Sequence, residues 1–289
     1  MRSASTLYRL EKRWSLVFIA LPVIGFFTFT ISAMVFSFWF SLTDFNPVRM
    51  ETRYVGLENF RRLFADALFR QAVFNTFFLL ISVPIGMFFG LLLSVYLQQK
   101  GAKNYALRLL YYLPAVSSVV AINIIFRYLF NGEFGLLNHL LNIDVQWLGT
   151  GRWPIKFAII IRNVWAAMGV AMVLYLAGLN NIPASYYEAA DIDGASIFQK
   201  FFMITVPLVR PISFFLIVTG IIAGMQNFAD AQLLANGNPQ GITVVYYIWV
   251  RGIDANRYGV ASAASILLGA IIMLMTYVQF RRSSWVEVR

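Results

Sequence analysis

Apolar positions in this chain fall into long unbroken runs rather than into the alternating patterns of half-buried helices and strands. The first extends from Trp14 to about Leu42. Others cover roughly 71–97, 107–130, 155–179, 211–234 and 258–280. Each is about as long as the ~20 residues that carry a helix across a bilayer. Lipid offers peptide groups no partners, so such runs pair internally as helices. The pattern predicts an all-α polytopic membrane protein with six transmembrane helices. The first run exceeds the ~7–15 residue core of a secretion signal and reads as a retained span. The organisation expected is an N-terminal segment 1–13, a membrane domain 14–282 and a short tail 283–289.

Polar stretches punctuate the runs. Residues 43–70 form a loop in which 59–69 has the pattern of a short interfacial helix, with Phe60, Leu63, Phe64 and Leu68 on one side. Pro84 should kink the second span, and Leu113-Pro114 lies in the first turns of the third. A loop at 131–153 holds His139, expected to be solvated. A further polar insertion, 183–208, lies between the fourth and fifth spans. Ser185 with Glu188 has capping-box spacing, Gly194 should end that helix, and Ser196 with Gln199 opens a second one before Pro207. This insertion reads as helix, glycine elbow, helix on a membrane surface.

Composition narrows the chemistry. Charged residues make up 12% of the chain, against about a quarter in globular domains, and the net charge is +10. In a membrane protein that excess belongs to loops beside anionic lipid, not to nucleic-acid binding. Six spans put both termini on one face; its short segments carry Arg2, Arg9, Lys12, Arg13, Lys100, Lys103, Arg281 and Arg282. The opposite loops hold nearly as many, including Arg49, Arg53, Arg61, Arg62 and Arg70, so charge density favours a cytoplasmic N-terminus only weakly and the resemblance given below decides the orientation. With no cysteine and one histidine, neither a thiolate catalyst nor a His/Cys metal site is available. No Gly-rich phosphate loop ending in Lys-Ser/Thr occurs, so the chain should not hydrolyse ATP itself. No catalytic residue, metal site or cofactor is expected in it.

Polar groups inside apolar runs are costly and usually face protein or a water-filled path. Arg162, Asn163 and Trp165 lie in the fourth run, and Gln226, Asn227 and Asp230 in the fifth. They read either as the lining of a solute path or as interhelical glue. Gly220-x-x-x-Gly224 reads first as a close-packing contact. Arg162 and Asp230 are expected near the outer ends of their helices, reaching headgroups; the alternative is an ion pair between the two spans.

The insertion carries a resemblance. Glu188-Ala189-Ala190, then Gly194, Ile204 and Pro207, are similar to the EAA loop of binding-protein-dependent ABC importer permeases, with Val206 where Leu is usual. Leu109-Leu-Tyr-Tyr-Leu-Pro-Ala, Leu176-Ala-Gly-Leu-Asn-Asn-Ile-Pro and Tyr54-Val-Gly-Leu-Glu-Asn-Phe extend the likeness to the MalF/UgpA-type carbohydrate permeases. The resemblance implies a type I ABC importer permease fold in a bacterial or archaeal cytoplasmic membrane. It implies a second homologous permease subunit, two cytoplasmic ATPase subunits that bind ATP and magnesium, an extracytoplasmic solute-binding protein and a sugar substrate. Ser185, Glu188, Ala189, Ala190, Asp191 and Gly194 would then couple to the ATPase. Asn163, Ala167, Val170, Gly220, Ala223, Gly224, Gln226 and Asn227 would line the substrate path. Small residues at Ala223 and Gly224, where the family has an amide and an aromatic, argue against a maltose-like binding mode. Readings outside this one are a non-sugar solute such as glycerol phosphate, an ATPase-independent secondary transporter, and a plain interfacial helix with no partner.

Overall fold

The computed structural model of the chain describes residues 2–46, 51–99 and 105–282, with side chains from Trp14 onward except those of Asn46, Gln99 and Tyr105. The expected basic positions Arg49, Lys100 and Lys103, the side chains of the N-terminal basic cluster, and the tail 283–289 lie outside the described residues. Among the described residues, four helices are long and apolar enough to cross a membrane: Trp14–Ser41, Ala67–Gln98, Pro154–Leu179 and Tyr258–Arg282. Two bent pairs, Ala106–Val116 with Val119–Leu129 and Ile197–Leu208 with Arg210–Met225, bring the number to six when each pair is one span.

The described residues divide into two compact units, one within Met1–Ala65 and Ile248–Leu267, the other within Asp66–Tyr247 and Leu268–Arg289. In the first, α1 (Arg2–Gly25) continues through a wider turn at Phe26–Ile31 into α2 (Ser32–Ser41). The loop beyond contains what periodicity did not reveal, an antiparallel pair of β1 (Thr43–Asn46) and β2 (Glu51–Tyr54), with Thr43 opposite Tyr54. The interfacial helix expected over 59–69 is α3 (Glu58–Ala65); it stops because Asp66 turns extended and caps the next helix by accepting from the Leu68 N–H. Asn59 is buried and donates to the carbonyls of Ser41 and Thr43, at 3.0 and 2.8 Å, pinning α3 to the end of α2.

In the second unit, α4 (Ala67–Leu79) and α5 (Ser82–Gln99) form one span broken at Leu80–Ile81. The break falls one turn before Pro84, which has no N–H to pair with the Leu80 carbonyl. α5 packs along α9 (Pro154–Leu179), the most extensive helix pairing among the described residues. Small residues permit it: a Cβ added to Gly86 would stand 2.9 Å from the Ala167 Cβ, and one on Gly90 would stand 2.6 Å from the Ala171 Cβ. Lys156, near the start of α9, is fully buried; its ammonium donates to the carbonyls of Arg152 and Gln240, both at 2.8 Å. The segment after the fifth span is held to α4 by Asn75, which donates to the Ile242 carbonyl at 2.9 Å, and by Thr76, which accepts from the Val244 N–H at 3.0 Å.

The third span, expected as one run over 107–130, is sharply bent. α6 (Tyr105–Val116) and α7 (Val119–Leu129) meet at 102°. Pro114 deprives α6 of one backbone bond, the Ser117 hydroxyl donates to the Leu113 carbonyl at 2.7 Å, and Ser118 is extended. His139, expected in an irregular loop, sits exposed on a short helix, α8 (Leu136–Leu141).

Candidate functional site: a mid-span cavity and a surface hairpin

α9 leads directly into the polar insertion. Its first helix, α10 (Ala184–Ile192), starts after Pro183, and no side chain caps it. The Ser185–Glu188 capping box therefore does not form; Ser185 lies inside the helix. The helix ends as expected at Gly194, with φ +74°. There the Ala195 N–H bonds the Ala190 carbonyl at 2.8 Å and the Gly194 N–H bonds the Asp191 carbonyl at 3.1 Å, the paired bonds of a glycine-ended helix. α11 (Ile197–Lys200) opens with the second expected capping box. The Gln199 N–H donates to the Ser196 hydroxyl, and the Gln199 side chain accepts from the Ser196 N–H at 2.7 Å.

Two contacts make the hairpin a single body. Lys200 pairs with Asp191 at 2.5 Å across the elbow. The hydroxyls of Tyr187 and Thr205 meet at 3.0 Å, joining α10 to the wide turn Phe201–Thr205 that follows α11. The six positions expected to couple lie on this hairpin. Ser185, Glu188, Ala189, Asp191 and Gly194 are exposed and Ala190 is partly covered. Apolar side chains stand beside them in the open: Ile192, Ile197 and Phe198 are 87%, 75% and 76% exposed. This combination of fixed backbone and uncovered apolar tip suits a docking surface.

The hairpin runs on through α12 (Val206–Leu208) into α13 (Arg210–Met225), at a bend of 65°. α9 and α13 thus flank it, and between them lies a cavity of about 720 Å³. Asn163, Ala167 and Val170 on α9, and Gly220, Ala223 and Gly224 on α13, line it together with Gln226 and Asn227. Ala167 is at the midpoint of α9, so the cavity lies halfway along a membrane-spanning helix. The start of α5 and the elbow at Pro114–Ser117 close other sides. Gly220 and Gly224 also pack: an added Cβ would lie 2.7 Å from Val83 and Leu80 side-chain carbons respectively.

The expected fifth helix to 234 ends instead at Met225, and Gln226 and Asn227 occupy the break before a wide turn at Asp230–Leu234. Side chains satisfy the backbone groups freed there, as bilayer depth requires. The Asn227 side chain accepts from the Asp230 N–H at 3.2 Å, and the Thr243 hydroxyl donates to the Asn227 carbonyl at 2.6 Å.

Two expectations about this region are corrected. Arg162 and Asp230 do not reach outward to headgroups; they pair at 3.4 Å in the cavity wall, with side chains 10% and 2% exposed. Asp230 opens the wide turn that follows the break after Met225 and faces Arg162 there. Trp165 does not line the cavity but packs on Phe126 of α7, with ring centroids 5.3 Å apart. The aromatic in the wall is Phe228, which stands between Asn227 and Asp230 but, being apolar, carries no signal of its own within an apolar run.

Comparison with known proteins agrees with this architecture. Residues 82–284 match the family described as binding-protein-dependent transport system inner membrane component. The chain is similar to the probable ABC transporter permease protein YesP of Bacillus subtilis, with 34% identity covering 93% of this chain and 90% of that one. It is 33% identical to the trehalose/maltose transport system permease protein MalF of Thermococcus litoralis, covering 92% and 88%. Its fold matches a chain of a bacterial ABC transporter involved in the import of the acidic polysaccharide alginate, with a TM-score of 0.81, 24% identity and coverage of 97% and 99%. The chain is a multi-pass membrane protein belonging to the binding-protein-dependent transport system inner membrane components, the permease subunits of ABC importers.

Proposed function

We propose that this permease carries a sugar or oligosaccharide, handed over by an extracytoplasmic binding protein, across a bacterial or archaeal cytoplasmic membrane. One observation carries the reading: the two helices that wall the mid-span cavity, α9 and α13, are the two that flank the exposed hairpin. Any displacement of the hairpin moves both walls. The absence of a phosphate-loop sequence puts the energy source in another chain. Two cytoplasmic ATPase subunits, holding ATP and magnesium, would grip the hairpins of this chain and of a second, related permease.

In this reading the hairpin, both termini and the tail are cytoplasmic. ATP-driven closure of the ATPases displaces α10 and α11 as one body, held by the Asp191–Lys200 pair and the Tyr187–Thr205 bond. α9 and α13 then reorient and open the cavity outward to receive the solute; hydrolysis returns it inward. The relatives named for trehalose/maltose and for alginate support a saccharide, and the amides of Asn163, Gln226 and Asn227 offer hydroxyl partners in the wall.

The test is ATPase activity of the chain co-expressed with its candidate partner permease and ATPases and reconstituted in lipid. Binding protein loaded with maltose, trehalose, maltopentaose or arabinopentaose is then added. Stimulation by one loaded form is the expected result. Failure of the chain to co-purify with any ATPase, with no saccharide altering a rate, refutes the reading.

A further inference from the structure

We infer that the gap between α5 and the hairpin is a lipid site, holding an acyl chain of one phospholipid from the leaflet on the hairpin side. The inference needs the spans to cross a bilayer; only the name of that leaflet, the cytoplasmic one, comes from the importer reading above. A second cavity, of about 700 Å³, opens there and shares no lining residue with the mid-span one. α5 gives Phe88, Leu92 and Val95 to its wall, and the second limb of the hairpin gives Phe198, Phe201 and Phe202. Phe88 is 52% exposed, Leu92 40% and Phe202 62%, an uncovered apolar surface of the kind that meets a membrane or a partner.

Helix register sets its depth. Gly86 stands against Ala167 and Gly90 against Ala171, so α5 and α9 run parallel and Gly86 is level with the midpoint of α9. At 1.5 Å per residue, Phe88 lies about 3 Å, Leu92 about 9 Å and Val95 about 14 Å beyond that midpoint. All three fall within the ~15 Å that one leaflet gives to a ~30 Å hydrocarbon core. Gln98, about 18 Å out, has reached the interface. With it the cavity rim holds the Tyr187 and Thr205 hydroxyls and the Lys200 ammonium. The cavity is thus apolar at leaflet depth and polar at its mouth, the profile of a phospholipid.

Other occupants fit less well. A water-soluble ATPase does not reach side chains 3–9 Å from the middle of a bilayer. A helix of a second permease is too thick: about 700 Å³ spread over ~15 Å averages roughly 50 Å² in section, against roughly 80 Å² for a helix 10 Å across. An acyl chain is one methylene wide. Lys200 gives one N–H to Asp191 and keeps two for a headgroup phosphate, and Asp191 balances its charge, so the site needs no anionic lipid. A chain seated there fills the space between the hairpin and α5, whose other end walls the mid-span cavity, and so braces the hairpin.

The test is lipid retention by the assembled importer, supplied with dioleoyl phosphatidylethanolamine, washed in detergent and weighed intact by native mass spectrometry. Wild type should retain one phospholipid more than Leu92→Trp, which fills the groove from α5. Leu110→Trp puts the same indole on α6, at a position 62% exposed and outside the groove, and should retain as much as wild type. Co-purification of the partner subunits checks assembly, and if Leu92→Trp does not assemble, Val95→Phe takes its place. Adding the lipid back to washed protein should slow hydrogen exchange across 197–205 in wild type and Leu110→Trp but not in Leu92→Trp. Equal retention by wild type and Leu92→Trp, or exchange across 197–205 that ignores the lipid, overturns the inference and leaves the groove to side chains of a partner. A chain that co-purifies with no ATPase brings down the importer reading alone, because retention is then read on the permease by itself.

Discussion

Moving one methyl group between α5 and α9 tests how the cavity wall is held. Gly90→Ala adds a Cβ 2.6 Å from the Ala171 Cβ and 3.0 Å from two backbone atoms of α9, the Met168 oxygen and the Met172 nitrogen. Carbon atoms rest at about 3.5–4.0 Å, so the helices must part by about an ångström. Overpacking of this kind costs roughly 1–3 kcal/mol. The exchange also returns about 1 kcal/mol of helix propensity, leaving a net loss of about 0–2 kcal/mol. Gly269→Ala on α15 (Tyr258–Arg282) isolates the propensity term, because nothing lies within 4 Å of the added Cβ. The decisive variant is the double exchange Gly90→Ala with Ala171→Gly, which moves the methyl from one helix to the other. Its propensity terms cancel and its closest clash, with the Ala171 Cβ, disappears while the 3.0 Å approaches to the α9 backbone remain, so stability should recover in large part but not completely. Unfolding of the purified protein in mixed micelles, followed by tryptophan fluorescence, reads all four corners of the cycle. A coupling energy of about 1–3 kcal/mol is expected. Additivity within about 0.5 kcal/mol would refute the claim that these two positions meet.

Two further outcomes concern the hairpin. Ser196→Ala removes a formed capping box and should cost about 1 kcal/mol locally, whereas Ser185→Ala removes no cap and should leave stability within about 0.5 kcal/mol; hydrogen exchange across 184–200 distinguishes them. Gly194→Val meets no neighbour but forces a β-branched residue to φ +74°, at a cost of about 1–2 kcal/mol, and should lower transport relative to ATP hydrolysis in the reconstituted importer. Transport per ATP equal to wild type would show that the elbow is not part of the coupling.

Much of this protein was legible from the order of its residues alone. Apolar runs of bilayer length specify helices because lipid leaves peptide groups no other partner, and that argument needs no tertiary contact. The hairpin was legible for the same local reason: Gly194 ends α10 and Ser196 with Gln199 opens α11 through bonds between near neighbours. Even there, identical spacing misled at Ser185, because Pro183 already stands at the N-cap two residues earlier.

What the sequence did not settle was where helices break and what then turns inward. Pro114 announced an irregularity, but the 102° bend depends on Ser118 becoming extended and on α6 passing close against Gly169 of α9. Gly86 and Gly90 were unremarkable until Ala167 and Ala171 stood opposite them. Asp230 reads as the end of a helix in one dimension. Its partner Arg162 is 68 positions away in the chain and 3.4 Å away in space, across the cavity wall from the break where Thr243 takes up the freed Asn227 carbonyl. Local bonds choose the elements, but burial of a charge inside a span forces a pairing that only the packed bundle can select.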